Sequence, residues 1–343
     1  MTQNETHIFD NSTANLSFPH IDYLNEQLEG HGIRVLSMIG YGALGVVYKI
    51  EYKTGDENGI YAMKILKPTV LNDANEGRKQ EALRRFQREA VLGEQLPYWH
   101  RNDPAINRII KVFEWCSWNG IPHMVMEHVE GGTLKDLVKN TNDPREILIP
   151  AMQSIEGLAL LHDSNTPVEY RKPIIHRDFK PSNILFDQYR NVKLSDLGLA
   201  KCGDTLKDRS VVGPKGTPLY MSPEQISQES IHLTAASDIY SFGAVLYNAL
   251  TGEYLLDVSK DATHGQIYQA ITQRKLRSTS MLSEPLAKLI EQCTDEDPSK
   301  RPEAPHIRYA LVEATLAAGV SPHQMYDNVI RDARMDAYLK EKI

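Results

Sequence analysis

Between residues 175 and 185 the chain runs Ile-His-Arg-Asp-Phe-Lys-Pro-Ser-Asn-Ile-Leu, and after a short stretch it continues as Leu194-Ser195-Asp196-Leu197-Gly198. Asp178, Lys180, Asn183 and Asp196 are polar groups set among Pro, Ile and Leu, on segments too irregular for one long helix or strand. Such a density of short polar groups beside apolar ones suggests a metal and phosphate site carried on a buried hairpin. Each residue alone has an ordinary structural explanation, since an Asp caps helices and an Asn closes turns.

A second phosphate-type feature lies upstream. Residues 33–39 alternate as a strand, Gly40-Tyr41-Gly42-Ala43-Leu44-Gly45 form a turn, and residues 46–50 form a second strand. Three glycines let a backbone approach phosphates closely, with amide groups turned toward the anion. A dinucleotide fold needs a helix straight after such glycines, whereas here β-branched residues continue a strand. A third strand spans residues 60–66, and its period of two puts Ala62, Lys64 and Leu66 on one face. Residues 75–96 form a long helix whose stripe is Leu83, Phe86, Ala90 and Gly93, with Glu89 bordering it. A carboxylate facing a core needs a cation, and Lys64 is the natural candidate.

In this order the motifs resemble the eukaryotic-type (Hanks-type) serine/threonine protein kinases over roughly residues 33–316. His176-Arg177-Asp178-Phe179-Lys180-Pro181-Ser182-Asn183 resembles their catalytic loop, Asp196-Leu197-Gly198 their metal-binding triplet, and Gly216-Thr217-Pro218-Leu219-Tyr220-Met221-Ser222-Pro223-Glu224 the end of their activation segment. Leu197 stands where Phe is usual, Ser222 where Ala is usual, and the loops at residues 97–104 and 163–173 are longer than the family's.

The resemblance implies an α+β, two-lobed fold: an acidic extension at residues 1–30, a small antiparallel-sheet lobe with one long helix at 31–126, a hinge at 127–131, a mostly helical lobe at 132–316 and a helical tail at 317–343. It implies ATP and Mg2+, with Asp178 orienting the acceptor hydroxyl, Lys180 on the γ-phosphate, and Asn183 and Asp196 as metal ligands. Lys64, positioned by Glu89, anchors the α- and β-phosphates under the backbone of Gly40, Gly42 and Gly45. Ile39, Val47, Ala62, Met126 and Leu185 enclose the adenine, and backbone groups of Glu127 and Val129 bond its edge. Arg301 pairs with Glu224, and Asp238 holds the catalytic loop. Lys180 and Thr217 follow the serine/threonine pattern, so protein Ser and Thr hydroxyls are the expected acceptors, with self-phosphorylation at Ser210 or Thr205. The rival functions are a pseudokinase scaffold that binds nucleotide without transfer and a small-molecule phosphotransferase.

Bulk properties agree with a globular enzyme. At 343 residues and 41% hydrophobic composition the chain can bury a sizeable core. The net charge of -7, of which residues 1–30 carry -5, argues against nucleic acid or an anionic membrane as partner. Three well-separated cysteines suggest neither a disulfide framework nor a zinc cluster, which points to a reducing cytoplasm. No run approaches the length of a membrane span.

Overall fold

The computed structural model describes residues 20–28, 30–42, 44–54, 57–118, 120–141, 143–163, 173–202, 218–226 and 233–321. The chain divides into two compact units, one from the N-terminal part through Tyr98 together with residues 110–128, the other from residues 99–109 and the chain from Val129 onward. One crossing of the chain between the units lies between His128 and Val129.

The first unit holds α1 (Ile21–Gln27), β1 (Ile33–Tyr41), β2 (Gly45–Thr54), β3 (Glu57–Leu66), α2 (Pro68–Leu71), α3 (Glu76–Trp99), β4 (Val112–Trp118) and β5 (Ile121–Glu127). Its sheet runs in the order β1-β2-β3-β5-β4 with every neighbouring pair antiparallel. Tyr48, Ile50, Met63 and Met124 from the sheet and Phe86 and Ala90 from α3 share one core. The approach of α3 depends on Gly93, where an added Cβ would overlap the Val112 side chain.

Three features differ from the expectations. The acidic lead-in contributes α1, with Leu24 and Leu28 buried in the core and the Asn25 side chain bonded to both backbone groups of Val35, at 2.7 and 3.1 Å. An amphipathic turn that can bury two leucines gains more from docking than from trailing in water. Second, α3 runs through Pro97 to Trp99, shortening the expected loop there. Third, the apolar pattern of residues 109–115 predicts a strand from residue 109, whereas β4 begins at Val112, because Ile109 bridges Leu194 within the second unit.

That second unit is mostly helical. It contains α4 (Leu134–Asn140), α5 (Arg145–His162), the short strands β6 (Ile174–Ile175), β7 (Ile184–Phe186), β8 (Val192–Leu194) and β9 (Lys201–Cys202), then α6 (Pro223–Ile226), α7 (Ala235–Thr251), α8 (His264–Thr272), α9 (Glu284–Cys293) and α10 (Ala304–Ala317). A reciprocal capping box between Thr133 and Asp136 starts α4. Leu148, Met152, Ile155, Leu158 and Leu161 form the fully buried stripe of α5, as their helical spacing predicts. Residues Ser237 through Ala249 of α7 are all buried, so this helix is enclosed around its whole girth. Two small antiparallel strand pairs, β6 with β9 and β7 with β8, frame the irregular segment from His176 to Asn183.

Candidate active site

Antiparallel register fixes which side chains of the first unit share a face. Val47 lies opposite Lys64 and Lys64 opposite Met124, while Lys49, Ala62 and Met126 form the adjacent row. Val47, Ala62, Lys64 and Met126 therefore occupy one surface of the sheet. Lys64 Nζ donates to both carboxylate oxygens of Glu89, at 2.7 and 2.6 Å, and both side chains are largely buried. At the hairpin tip the Gly42 amide donates to the Gly45 carbonyl at 2.9 Å, closing a tight turn. Gly45 is required by contact: a Cβ there would stand 2.8 Å from the Ile65 carbonyl oxygen. Ile39 is largely exposed beside the turn.

In the second unit the segment between β6 and β7 gathers Asp178, Lys180 and Asn183. Lys180 Nζ donates to Asp178 Oδ2 at 2.7 Å, and the Asn183 amide donates to the same oxygen at 3.2 Å and to the Asp178 carbonyl at 2.9 Å. Asp178 and Asn183 are buried, and Leu185 follows on β7. Asp196, just past β8, adopts the left-handed backbone conformation at φ 64°, and the Leu197 after it is buried.

The irregular segment is held from beneath. Asp238 of α7 accepts the backbone amides of His176 at 2.8 Å and Arg177 at 2.9 Å, and His162 Nε2 lies 2.8 Å from the same carboxylate. Burial pushes the Asp238 carboxyl up, but His162, His176 and the Arg177 amide outweigh it and hold the group below the usual range. Arg177 has a φ of 67°, and Gln225 donates to its carbonyl at 2.9 Å. A non-glycine residue in that region carries strain of order 1–3 kcal/mol, which these bonds from both sides sustain. Glu224 receives Arg301 on both oxygens, at 2.6 and 3.0 Å, with Ser237 adding a third bond at 2.8 Å. Desolvation raises the Glu224 carboxyl, and Arg301 with Ser237 more than offsets that, leaving it below its ordinary value.

Residues 33–310 match the protein kinase domain family model. This chain belongs to the protein kinase domain family. It is 32% identical over 276 residues to the serine/threonine-protein kinase PrkC of Bacillus subtilis, covering 79% of this chain and 38% of that protein. It is 29% identical over 311 residues to serine/threonine-protein kinase A of Synechocystis, covering 88% and 56%. With the calcium/calmodulin-regulated receptor-like kinase 1 of Arabidopsis thaliana it shares 30% identity over 236 residues, covering 68% and 47%. The chain thus spans less than two thirds of the length of each of these relatives.

A kinase domain implies a divalent cation beside the nucleotide. Among the described residues no three His, Cys, Asp or Glu side chains converge as a metal cage. Mg2+ does not need one, since it is held by one or two protein oxygens together with phosphates and water. The Asn183 amide nitrogen is committed to Asp178, which leaves its oxygen as the hard donor, and Asp196 adds a carboxylate. This donor set fits the ion.

Sequence reasoning missed two supports of the kinase domain's loop, the His162 bond to Asp238 and the Gln225 bond to Arg177. Neither has a signal in spacing, because each joins segments that only the fold brings together. Thr205, Ser210 and Thr217 lie outside the described residues.

Proposed function

We propose that this kinase domain transfers the γ-phosphoryl group of ATP to serine and threonine hydroxyls of proteins. The observation that carries this is the double grip of Lys180 and Asn183 on one oxygen of Asp178, which fixes the carboxylate's direction. In the reaction the acceptor oxygen bonds to the γ-phosphorus as the bond to the departing ADP oxygen breaks, and the hydroxyl proton passes to Asp178. Lys180 neutralises charge on the moving phosphoryl group, and Lys64, oriented by Glu89, does so for the α- and β-phosphates. The backbone at Gly40, Gly42 and Gly45 covers the phosphates. Ile39, Val47, Ala62, Met126 and Leu185 enclose the adenine, whose edge bonds the backbone of Glu127 and Val129. Asn183 and Asp196 would hold Mg2+, which when bound supplies charge neutralisation across the phosphates.

The acceptor class rests on Lys180 standing two residues after Asp178 and on the serine/threonine kinases among the relatives. Self-transfer to Ser210 or Thr205 belongs to the same proposal. So does a cytoplasmic setting, supported by the free thiols of Cys116 and Cys293. Among the described residues no helix is long and apolar enough to cross a membrane.

The test is incubation of the purified chain with magnesium and γ-labelled ATP, alone and with a generic basic protein. Wild type should label serine and threonine, and Asp178→Asn should lose at least about 100-fold in rate while keeping its fold. Equal transfer by Asp178→Asn, or none by wild type, would overturn the proposal.

A further inference from the structure

Tyr41 sits between the first two glycines of the hairpin tip, and nothing in the proposed chemistry needs an aromatic ring there. Its partner explains it. Lys67, the residue directly after β3, is only 6% exposed, and its Nζ lies 3.4 Å from the centroid of the Tyr41 ring. A lysine side chain so deeply withdrawn from water needs an interaction that replaces hydration, and the negative face of an aromatic ring supplies one. The same residue also reaches the other arm of the turn, because its backbone amide donates to the Leu44 carbonyl at 2.9 Å.

We infer that Lys67 is a positioning residue that clamps the glycine-rich turn, its ammonium holding Tyr41 on the incoming arm and its amide holding Leu44 on the outgoing arm, and so sets the affinity for nucleotide phosphates. The effect on nucleotide rests on the site proposed above. Glycines give the turn many conformations of similar energy, and a ligand that selects one must offset the lost entropy. Two attachments to one strand end remove most of that freedom beforehand. The geometry is specific: Gly45 lies opposite Leu66 and Val47 opposite Lys64, so the end of β3 presents Lys64 to the phosphates and Lys67 to the turn that covers them. The clamp lies wholly within the first unit, whereas Asp178 and Lys180 belong to the second. Its loss should therefore weaken binding and leave the chemical step of the saturated enzyme in place.

The experiment compares wild type with Tyr41→Ala, Lys67→Met, their double variant and the conservative Tyr41→Phe. ATP dissociation constants come from calorimetry, KM and kcat from steady-state transfer, and amide hydrogen exchange over residues 40–45 is followed without nucleotide. Tyr41→Ala and Lys67→Met should each raise the dissociation constant and KM about ten- to thirtyfold. The kcat should stay within about twofold. The double variant should be no worse than either single one, because both remove the same interaction. Tyr41→Phe should restore wild-type affinity, and exchange in the turn should accelerate in both disruptive variants. Unchanged exchange, strictly additive losses, or a loss confined to kcat would overturn the clamp. Should wild type bind no ATP, the nucleotide site falls, and the exchange measurement alone decides whether Lys67 holds the turn.

Discussion

Burying an ammonium beside a carboxylate is tolerable when each satisfies the other, and Lys64 against both oxygens of Glu89 meets that condition. The two variants that break the pair should behave differently. Under the proposed function Lys64→Met removes the amine from the phosphates and should lower kcat/KM by about 100-fold or more. Glu89→Gln keeps the amine but loosens its placement, so a smaller loss, up to about 100-fold, is expected. Steady-state transfer assays on both variants check the order, and Glu89→Gln falling below Lys64→Met would refute the division of roles. This pair was legible from sequence because a charged residue bordering an apolar helical stripe announces a buried partner. The stacking of Lys67 on Tyr41 was not, since the two meet at a strand end where no periodicity operates.

At the scale of elements, Glu89 is only as well placed as α3, and α3 is seated through Gly93 against Val112. Gly93→Ala should improve helix propensity by about 1 kcal/mol, yet the new methyl group overlaps Val112, and overpacking of this kind costs about 1–3 kcal/mol. The net expectation is a lower melting temperature and reduced transfer, with Val112→Ala added to Gly93→Ala recovering part of both. Thermal unfolding and activity of the three proteins decide it, and a Gly93→Ala variant as stable and active as wild type would show that the contact is not limiting. Strands β1 to β3 and the helix α3 were readable in advance because apolar patterns dominate their local energetics. The start of β4 and the helix α1 were not, since the first depends on Ile109 bridging Leu194 and the second on Asn25 reaching Val35. Those are tertiary bonds that outweigh local preference. In the site, Asp178, Asn183 and Asp196 stood out as an ordered motif, while the supports at His162 and Gln225 became visible only once α5, α6 and α7 were placed.

For the molecule as a whole, two acidic groups, Glu224 and Asp238, tie distant segments of the helical unit together, and both are held below their ordinary carboxyl values. In an unfolded chain such groups titrate near about 4.3 and 3.9. A depressed folded value means the unfolded state takes up protons first as pH falls, so the stability these groups contribute is complete above about pH 4.5 and is lost as pH drops through the folded values. Arg301→Ala leaves Glu224 enclosed without its cation and should cost about 3–5 kcal/mol at neutral pH. The protonated carboxyl has far less need of that cation. The stability gap between wild type and Arg301→Ala should accordingly be widest at neutral pH and shrink as pH falls from the range where the uncompensated Glu224 protonates toward the lower wild-type value. Circular dichroism melts of both proteins across pH 3–8 measure this directly. A gap that stays constant down to pH 3 would mean that the Arg301 side chain contributes through packing and its bonds to backbone carbonyls rather than through the charge on Glu224.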